Sequence, residues 1–437
     1  MYSQNSPQKA IEYCSVEEIK EFQNQKLIKQ IAYLAAHSKF YQTLFQENNI
    51  DWRSIQSIDD LKLIPVTTKN NLQQHNLDFL CVSQHEIIDY STTSGTLGDP
   101  VTFGLTDKDL ERLAENEYNS FQRIGVRKGD VVQLMTTIDR RFMAGLAYFL
   151  GLRKLGAGVI RVGAGVPQLQ WDSILKYKPK FLVAVPSFLL KMLDYAEKNN
   201  IDYQSSGVKA VLCIGESLRD KDLGASLLSQ KITSKWNIQL FSTYASTEMS
   251  TAFTECKEGV GGHHQPDLII TEILDENNKE VADGELGELT ITTLGIEGMP
   301  LLRFKTGDLL RKHSEQCICG SNSYRLGPVE GRKQHMIKYK GTTLYPPALH
   351  DILNHFDEVS LHLIEIYSNE LGTDEILIRL VSSDETDEFL TKIKDYFRAK
   401  LRVTPSIKFE TFEELQSVIF KPESRKPLTF IDYRENN

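Results

Sequence analysis

Three groups of residues carry side chains suited to polyphosphate and metal chemistry. The first runs Asp89-Tyr90-Ser91-Thr92-Thr93-Ser94-Gly95-Thr96-Leu97-Gly98-Asp99-Pro100. Its hydroxyls can donate to one anion, and backbone N–H groups can turn toward the same anion because Gly95 and Gly98 tolerate positive φ. No Gly-Lys-Ser or Gly-Lys-Thr follows, so this is not a Walker loop, and on composition alone a solvated loop is the commoner reading. The second group is Tyr244-Ala245-Ser246-Thr247-Glu248. It offers a ring to stack on a planar base, small residues that let backbone approach, and a carboxylate suited to Mg²⁺. A solvated helix N-cap would look similar. The third is Cys256, the pair His263-His264, and Cys317-Ile318-Cys319. Three thiols and one imidazole make the donor set of a closed structural zinc site. Free surface thiols are the alternative, since disulfides are rare in a reducing compartment.

These residues need a scaffold, and the sequence describes one. Apolar positions at helical spacing mark residues 15 to 48. Strand-like runs flank the hydroxyl-rich stretch, and Asp107 to Gln122 reads as a helix. Strands then alternate with helices: Val131 to Met135, Phe142 to Leu155, Gly158 to Val162, Trp171 to Lys176, Phe181 to Val185, Pro186 to Asn199, Ala210 to Ile214, Leu223 to Lys235, Ile238 to Ser242. Such alternation predicts parallel sheets with crossover helices, with ligands at the carboxyl ends of the strands. The Ile214-Gly215-Glu216-Ser217 turn and the Tyr244 to Glu248 stretch fall at such ends. After residue 250 the pattern turns to β, with strands over Asp267 to Leu274, Gly287 to Thr293 and Leu301 to Phe304. Arg303-Phe304-Lys305-Thr306-Gly307-Asp308 then ends on a carboxylate able to accept from two ribose hydroxyls. Beyond about residue 335 a separate alternation predicts strands over 360–366, 375–381 and 406–410 and a helix over 385–400.

Composition narrows the class. The chain has 437 residues, 41% hydrophobic and 25% charged, with a formal net charge of -9. That balance gives no basic field for nucleic acid or an anionic membrane. The first residues lack a basic segment followed by an apolar one, and no uninterrupted apolar run is long enough to span a bilayer, so a cytoplasmic protein is expected.

Five separated motifs, in order and spacing, resemble the core motifs of adenylate-forming enzymes, the acyl-CoA synthetase superfamily. They are Thr92 to Gly98, Gly215-Glu216, Tyr244 to Glu248, Arg303 to Asp308, and Gly331-Arg332-Lys333-Gln334-His335-Met336-Ile337-Lys338. The phenylacetate-CoA ligase branch is the nearest in pattern, and the resemblance spans nearly the whole chain. It implies an α/β fold: a large N-terminal domain of parallel α/β sheets with a β-rich subdomain, residues 1–333, and a small mobile α+β lid, residues 334–437. It also implies two half-reactions, in which ATP and a carboxylic acid give an acyl-adenylate and pyrophosphate, and coenzyme A then displaces AMP.

By that pattern Ser91, Thr92, Thr93, Ser94, Gly95, Thr96 and Gly98 would hold the β- and γ-phosphates. Thr96 and Glu248 would lie near Mg²⁺. Gly215, Glu216 and Tyr244, with Ala245, Ser246 and Thr247 beside it, would frame adenine, and Asp308 and Arg332 would hold the ribose. Lys426, counted back from Ile431-Asp432-Tyr433-Arg434, falls on the adenylation lysine. Zinc would be held by Cys256, His263, Cys317 and Cys319, and His263 is preferred to His264 by the spacing in related ligases. Homodimers are common in that family. The sequence departs from the pattern at Asp99, where a lysine is usual, at Gln334, where an acid is commoner at the hinge, and at Arg425, where glycine is usual. Thr137-Ile138-Asp139-Arg140-Arg141-Phe142 is more polar than an aryl pocket requires, so Arg140 or Arg141 could meet a second anion on the substrate. The expectation is an acid-CoA ligase for an aromatic or similar small acid. The alternatives are an adenylation enzyme that loads a carrier protein and a degenerate nucleotide-binding regulator.

Overall fold

A computed structural model describes residues 10–93, 101–339, 342–369, 374–421 and 427–434. Ser94, Gly95, Thr96, Gly98, Asp99, Arg425 and Lys426 lie outside the described residues. The chain divides into two units, one of Met1–Thr306 with Leu310–Pro328, the other of Gly307–Leu309 with Val329–Asn437.

The first unit is built on one long sheet. Its strands are β3 (Val131–Leu134), β4 (Gly158–Arg161), β5 (Phe181–Ala184), β6 (Ala210–Cys213), β7 (Gln239–Ser246), β8 (Thr251–Thr254), β9 (Gly262–His263), β10 (Ile269–Leu274), β11 (Leu286–Thr293), β12 (Phe304–His313) and β13 (Arg325–Leu326). Two further strands, β1 (Asp89–Thr92) and β2 (Thr102–Leu105), form a separate antiparallel hairpin around the hydroxyl-rich stretch. Among the described residues the order across the sheet is β10-β11-β12-β13-β9-β8-β7-β6-β5-β3-β4. Strands β4, β3, β5, β6 and β7 run parallel, and β8 then pairs antiparallel with β7. The parallel region and the β-rich region are thus one continuous sheet rather than separate ones.

The apolar runs explain the parallel half. Residues 181–184 and 210–213 are buried at every position, as strands covered by helices on both faces must be. Strand order reverses between β3 and β5, so the segment 135–142 after β3 opens at the switch point where ligands enter such sheets. Helices Asp107–Arg123 and Met143–Leu155 pack against one another. A Cβ on Gly151 would sit 2.4 Å from Glu117 Cβ, so glycine sets how closely the two approach.

Several expected boundaries move for local reasons. The 15–48 helix is two helices, Val16–His37 and Lys39–Glu47, broken at Ser38, whose side chain caps the second. The helix expected from Leu223 begins only at Leu227. Residues 218–226 instead fold back on themselves through an Arg219 to Ala225 bridge, and Leu223 has φ +65°, which a helix does not admit. The strand expected over Leu301 to Phe304 starts at Phe304 and runs to His313. Arg303 adopts φ +51°, and Tyr41 holds the backbone beside it by accepting a 2.8 Å hydrogen bond from Leu302 N.

The second unit has its own core. Strands β17 (Val359–Ser368) and β18 (Asp374–Ser382) pair antiparallel, β19 (Ser406–Phe409) joins β18 in parallel, and β20 (Phe430–Asp432) joins β17 in parallel. Helices Pro346–Leu353 and Asp387–Leu401 contribute Leu349, Phe389, Ile393 and Phe397 to an apolar cluster with Ile364, Ile366 and Ile378. The short strands β14 (Gly331–Arg332), β15 (Ile337–Tyr339) and β16 (Thr342–Leu344) precede them. Strand β14 pairs with Asp308 and Leu309 of β12, which is why those residues group with this unit.

Candidate active site and metal-ligating cluster

The hydroxyl-rich hairpin begins buried. Ser91, Thr92 and Thr93 are almost wholly covered, and Thr93 closes the hairpin neck by donating its N–H to Val101 O at 3.0 Å. Thr92 N donates to Arg141 O at 3.0 Å, so the end of β1 is fastened to the segment after β3. Arg140 and Arg141 are consecutive left-handed residues, φ +56° and +57°, and both side chains are exposed. Two such residues in a row cost of order 1–3 kcal/mol each and persist only where neighbours impose them.

Gly215 and Glu216 follow β6, and Tyr244 lies in β7, its neighbour in the sheet, where Cys213 pairs with Ser242. Gly215 has φ +77°, the turn that lets the chain leave the strand. Glu216 accepts from Ser187 N at 2.8 Å and from Ser187 Oγ at 2.7 Å, which fastens the loop to the first turn of helix Pro186–Lys198. Tyr244, Ala245 and Ser246 belong to the strand itself rather than to a loop after it, because β7 continues into a hairpin with β8. Thr247 and Glu248 form the turn, and Glu248 is half-buried.

That turn is held from beneath by Arg112, a buried residue of helix Asp107–Arg123. Its guanidinium donates to Ser250 O at 2.6 Å, to Thr251 Oγ1 at 3.0 Å, to Leu294 O at 2.8 Å and to Leu268 O at 2.5 Å. One turn further along, Asn116 Oδ1 accepts from Ala252 N at 2.9 Å. Beside it, burial pushes the Glu117 carboxyl up to about 8, against which hydrogen bonds from Asn116 and Ser120 act. Sequence reasoning missed this row. Asp109, Arg112, Asn116 and Ser120 recur at helical spacing, which ordinarily marks the solvated face, whereas here that face is inside.

In the second unit Arg332 Nε donates to Asp308 Oδ1 at 3.0 Å; the carboxylate is buried and the guanidinium half-exposed. Gln334 is exposed in the short turn Lys333–His335 that follows. Arg434 ties the chain end to this region, donating to Met336 O and to Asp374 Oδ2, each at 2.8 Å.

The cysteine and histidine residues converge. Cys256 Sγ lies 3.7 Å from Cys317 Sγ, and Cys319 Sγ lies 3.7 Å from His263 Nε2. All four ligand atoms fall within 4.8 Å of one another. Sulfurs placed 2.3 Å from a tetrahedral ion would be about 3.8 Å apart, so the spacing suits one. Burial drives the Cys256 thiol up to about 12 and the His263 imidazole down to about 3. A neutral imidazole is what a metal needs, and buried thiolates require a cation to offset their charge. His264 is the residue just after β9. Its Nε2 lies 2.6 Å from Ile269 O and its ring stacks on Tyr324 at 4.1 Å, so it is a packed core residue outside the cluster. All six cysteines are free.

A cavity of about 630 Å³ is lined by Lys221, Asp222, Arg311, His313 and Arg325 among others. It contains none of the residues expected to hold the nucleotide.

The sequence profile of the AMP-binding enzymes matches residues 25–297, well over half of the chain. The chain belongs to the AMP-binding enzyme family. Among curated relatives, this AMP-binding enzyme is 25% identical to the phenylacetate-coenzyme A ligase of Thermus thermophilus, covering 89% of this chain and 92% of the relative. It is 26% identical to the phenylacetate-coenzyme A ligase of Pseudomonas putida, covering 85% and 84%. Its fold matches the solved structure of 2-hydroxyisobutyryl-CoA ligase bound to an acyl-adenylate, with a TM-score of 0.84, 22% identity, and coverage of 100% of this chain and 95% of that one. The family and α/β fold implied by the motif order are those found. Among the described residues no helix is long and apolar enough to cross a membrane.

Proposed function

We propose that this AMP-binding enzyme is an ATP-dependent carboxylic acid-CoA ligase acting on an aryl, arylacetic or similar small acid. The observation that carries the reading is the placement of the Gly215-Glu216 turn just after β6 and of Tyr244 to Ser246 at the end of the adjacent strand β7, toward the carboxyl ends of the parallel strands, where such sheets bind ligands. Family membership and the phenylacetate-CoA ligase relatives support the choice of reaction.

In the first half-reaction a carboxylate oxygen attacks the α-phosphorus of ATP. The bond to the bridging oxygen breaks, and pyrophosphate leaves. In the second, the thiol sulfur of coenzyme A attacks the acyl carbon, the proton is lost, and AMP departs with the oxygen it gained. The chain supplies position and charge. The Ser91 to Gly98 stretch would hold the phosphates by N–H and O–H donation, Gly215, Glu216 and Tyr244 would frame adenine, and Asp308 with Arg332 would fix the ribose. Lys426 would place an ammonium where carboxylate and α-phosphate crowd together. Glu248 and Thr96 would hold Mg²⁺, which neutralises phosphate charge when bound; a half-buried carboxylate at a strand end suits that duty.

The Cys256, His263, Cys317 and Cys319 set would hold a structural zinc, its composition leaving no open position for catalysis. Six cysteines without a disulfide among them favour a reducing, cytoplasmic setting.

The test is a thioester screen. Aryl, arylacetic and short-chain acids are each supplied with ATP and either coenzyme A or a holo carrier protein, and the thioester is measured. Transfer to coenzyme A supports the reading. Transfer only to the carrier protein would make this a loading enzyme, and neither product with any acid would favour the degenerate regulator.

A further inference from the structure

Arg219 and Glu255 form a two-pronged ion pair, its carboxylate buried and its guanidinium partly covered, that belongs to neither the nucleotide motifs nor the cysteine cluster. Arg219 Nε donates to Glu255 Oε1 at 2.8 Å and Nη2 to Oε2 at 2.9 Å. The carboxylate side chain is 1% exposed. Its Oε2 accepts a second bond, 2.9 Å from Ser242 N, and Glu255 N in turn donates to Ser242 O at 2.9 Å. Ser242 stands two residues before Tyr244 on β7, and Arg219 stands three residues after Glu216. One carboxylate therefore clasps both stretches that flank the adenine position.

The pair completes a three-point mount for the turn after β6. Glu216 is fastened at Ser187, Leu218 is buried in the apolar core, and Arg219 is held by Glu255. Ser217 adds a local brace, its Oγ donating to Arg219 O at 2.8 Å. A guanidinium fork on a carboxylate fixes direction as well as distance, which a lysine could not do. Removing the Arg219 guanidinium leaves the Glu255 carboxylate buried without a counter-charge.

We propose that Arg219 and Glu255 are positioning residues for nucleotide recognition, setting the spacing between the Gly215-Glu216 turn and Tyr244. This rests on the assignment of those two stretches to adenine.

The experiment is ATP binding by isothermal titration, with Mg²⁺ present, for the full-length wild type, Arg219→Lys, Glu255→Gln, the double variant and Tyr244→Ala, each also melted without ligand. Glu255→Gln keeps a carbonyl able to accept from Ser242 N, so it is the mild variant. Each single change in the pair is expected to raise the Kd for ATP roughly tenfold, with the double no worse than the singles, as coupled residues behave. Arg219→Lys is expected not to restore affinity although it keeps the charge. Unchanged ATP affinity in both single variants, effects that add in the double, or a lowered Tm without weaker ATP binding would overturn the proposal. If Tyr244→Ala also binds ATP as the wild type does, the adenine assignment itself fails. If Tyr244→Ala weakens ATP and the pair variants do not, only the positioning role fails.

Discussion

Arg332 and Asp308 face each other directly across the β12 and β14 strands, with the guanidinium Nε 3.0 Å from the carboxylate. Twenty-four positions apart in sequence, they meet because β14 returns antiparallel onto the strand that carries Asp308. The carboxylate is thus buried and held at one oxygen by a half-exposed cation.

Replacing Asp308 by alanine removes the acceptor proposed for the ribose hydroxyls. A hydrogen bond to a charged group contributes roughly 1.5–3 kcal/mol, so kcat/KM for ATP should fall about 10- to 100-fold. Steady-state kinetics in ATP is the check, and an unchanged kcat/KM would remove Asp308 from the site.

Lys426→Ala should separate the two half-reactions. Loss of the ammonium should slow acyl-adenylate formation by roughly 10²-fold or more, while a supplied acyl-adenylate should still react with coenzyme A at near the normal rate. Equal loss in both steps would contradict the assigned role.

The four-ligand cluster predicts a bound metal. Purified protein should carry about one zinc ion per chain by elemental analysis, and Cys319→Ser should lose it with a lower Tm. Metal-free protein of full stability would contradict the assignment.

Glu117 makes stability depend on pH. Its carboxyl is raised to about 8 by burial from an ordinary 4.5, so between those values the folded protein binds a proton that the unfolded chain has released. Its contribution is fully present below about 4.5, is lost progressively as pH rises, and is gone above about 8. Glu117→Gln should therefore raise Tm at pH 8.5 relative to pH 5 by roughly a few degrees compared with wild type, measured by calorimetry.

Periodicity and order made much of the fold legible. Runs such as Phe181 to Ala184 and Ala210 to Cys213 are apolar throughout, short, and separated by helical patterns, which favours strands buried on both faces and paired in parallel. The cysteines stood out because metal chemistry restricts residue type, whereas the choice of His263 over His264 rested on the resemblance to related ligases. Arg112, Arg219 and Glu255 were not legible, because a charged residue in sequence gives no sign that its partners will bury it. The start of the Leu227–Lys235 helix was also hidden: Leu223 carries a helical residue type, but Asp220 captures the N–H groups of Asp222 and Gly224, and a tight turn results.

The central claim is acid activation by adenylate formation, and isotope exchange between labelled pyrophosphate and ATP, without coenzyme A, tests it most directly. Exchange that appears only when a suitable carboxylic acid is added, and that vanishes in Lys426→Ala, is the predicted result. Protein that binds ATP but catalyses no acid-dependent exchange across aryl, arylacetic and short-chain acids would contradict it.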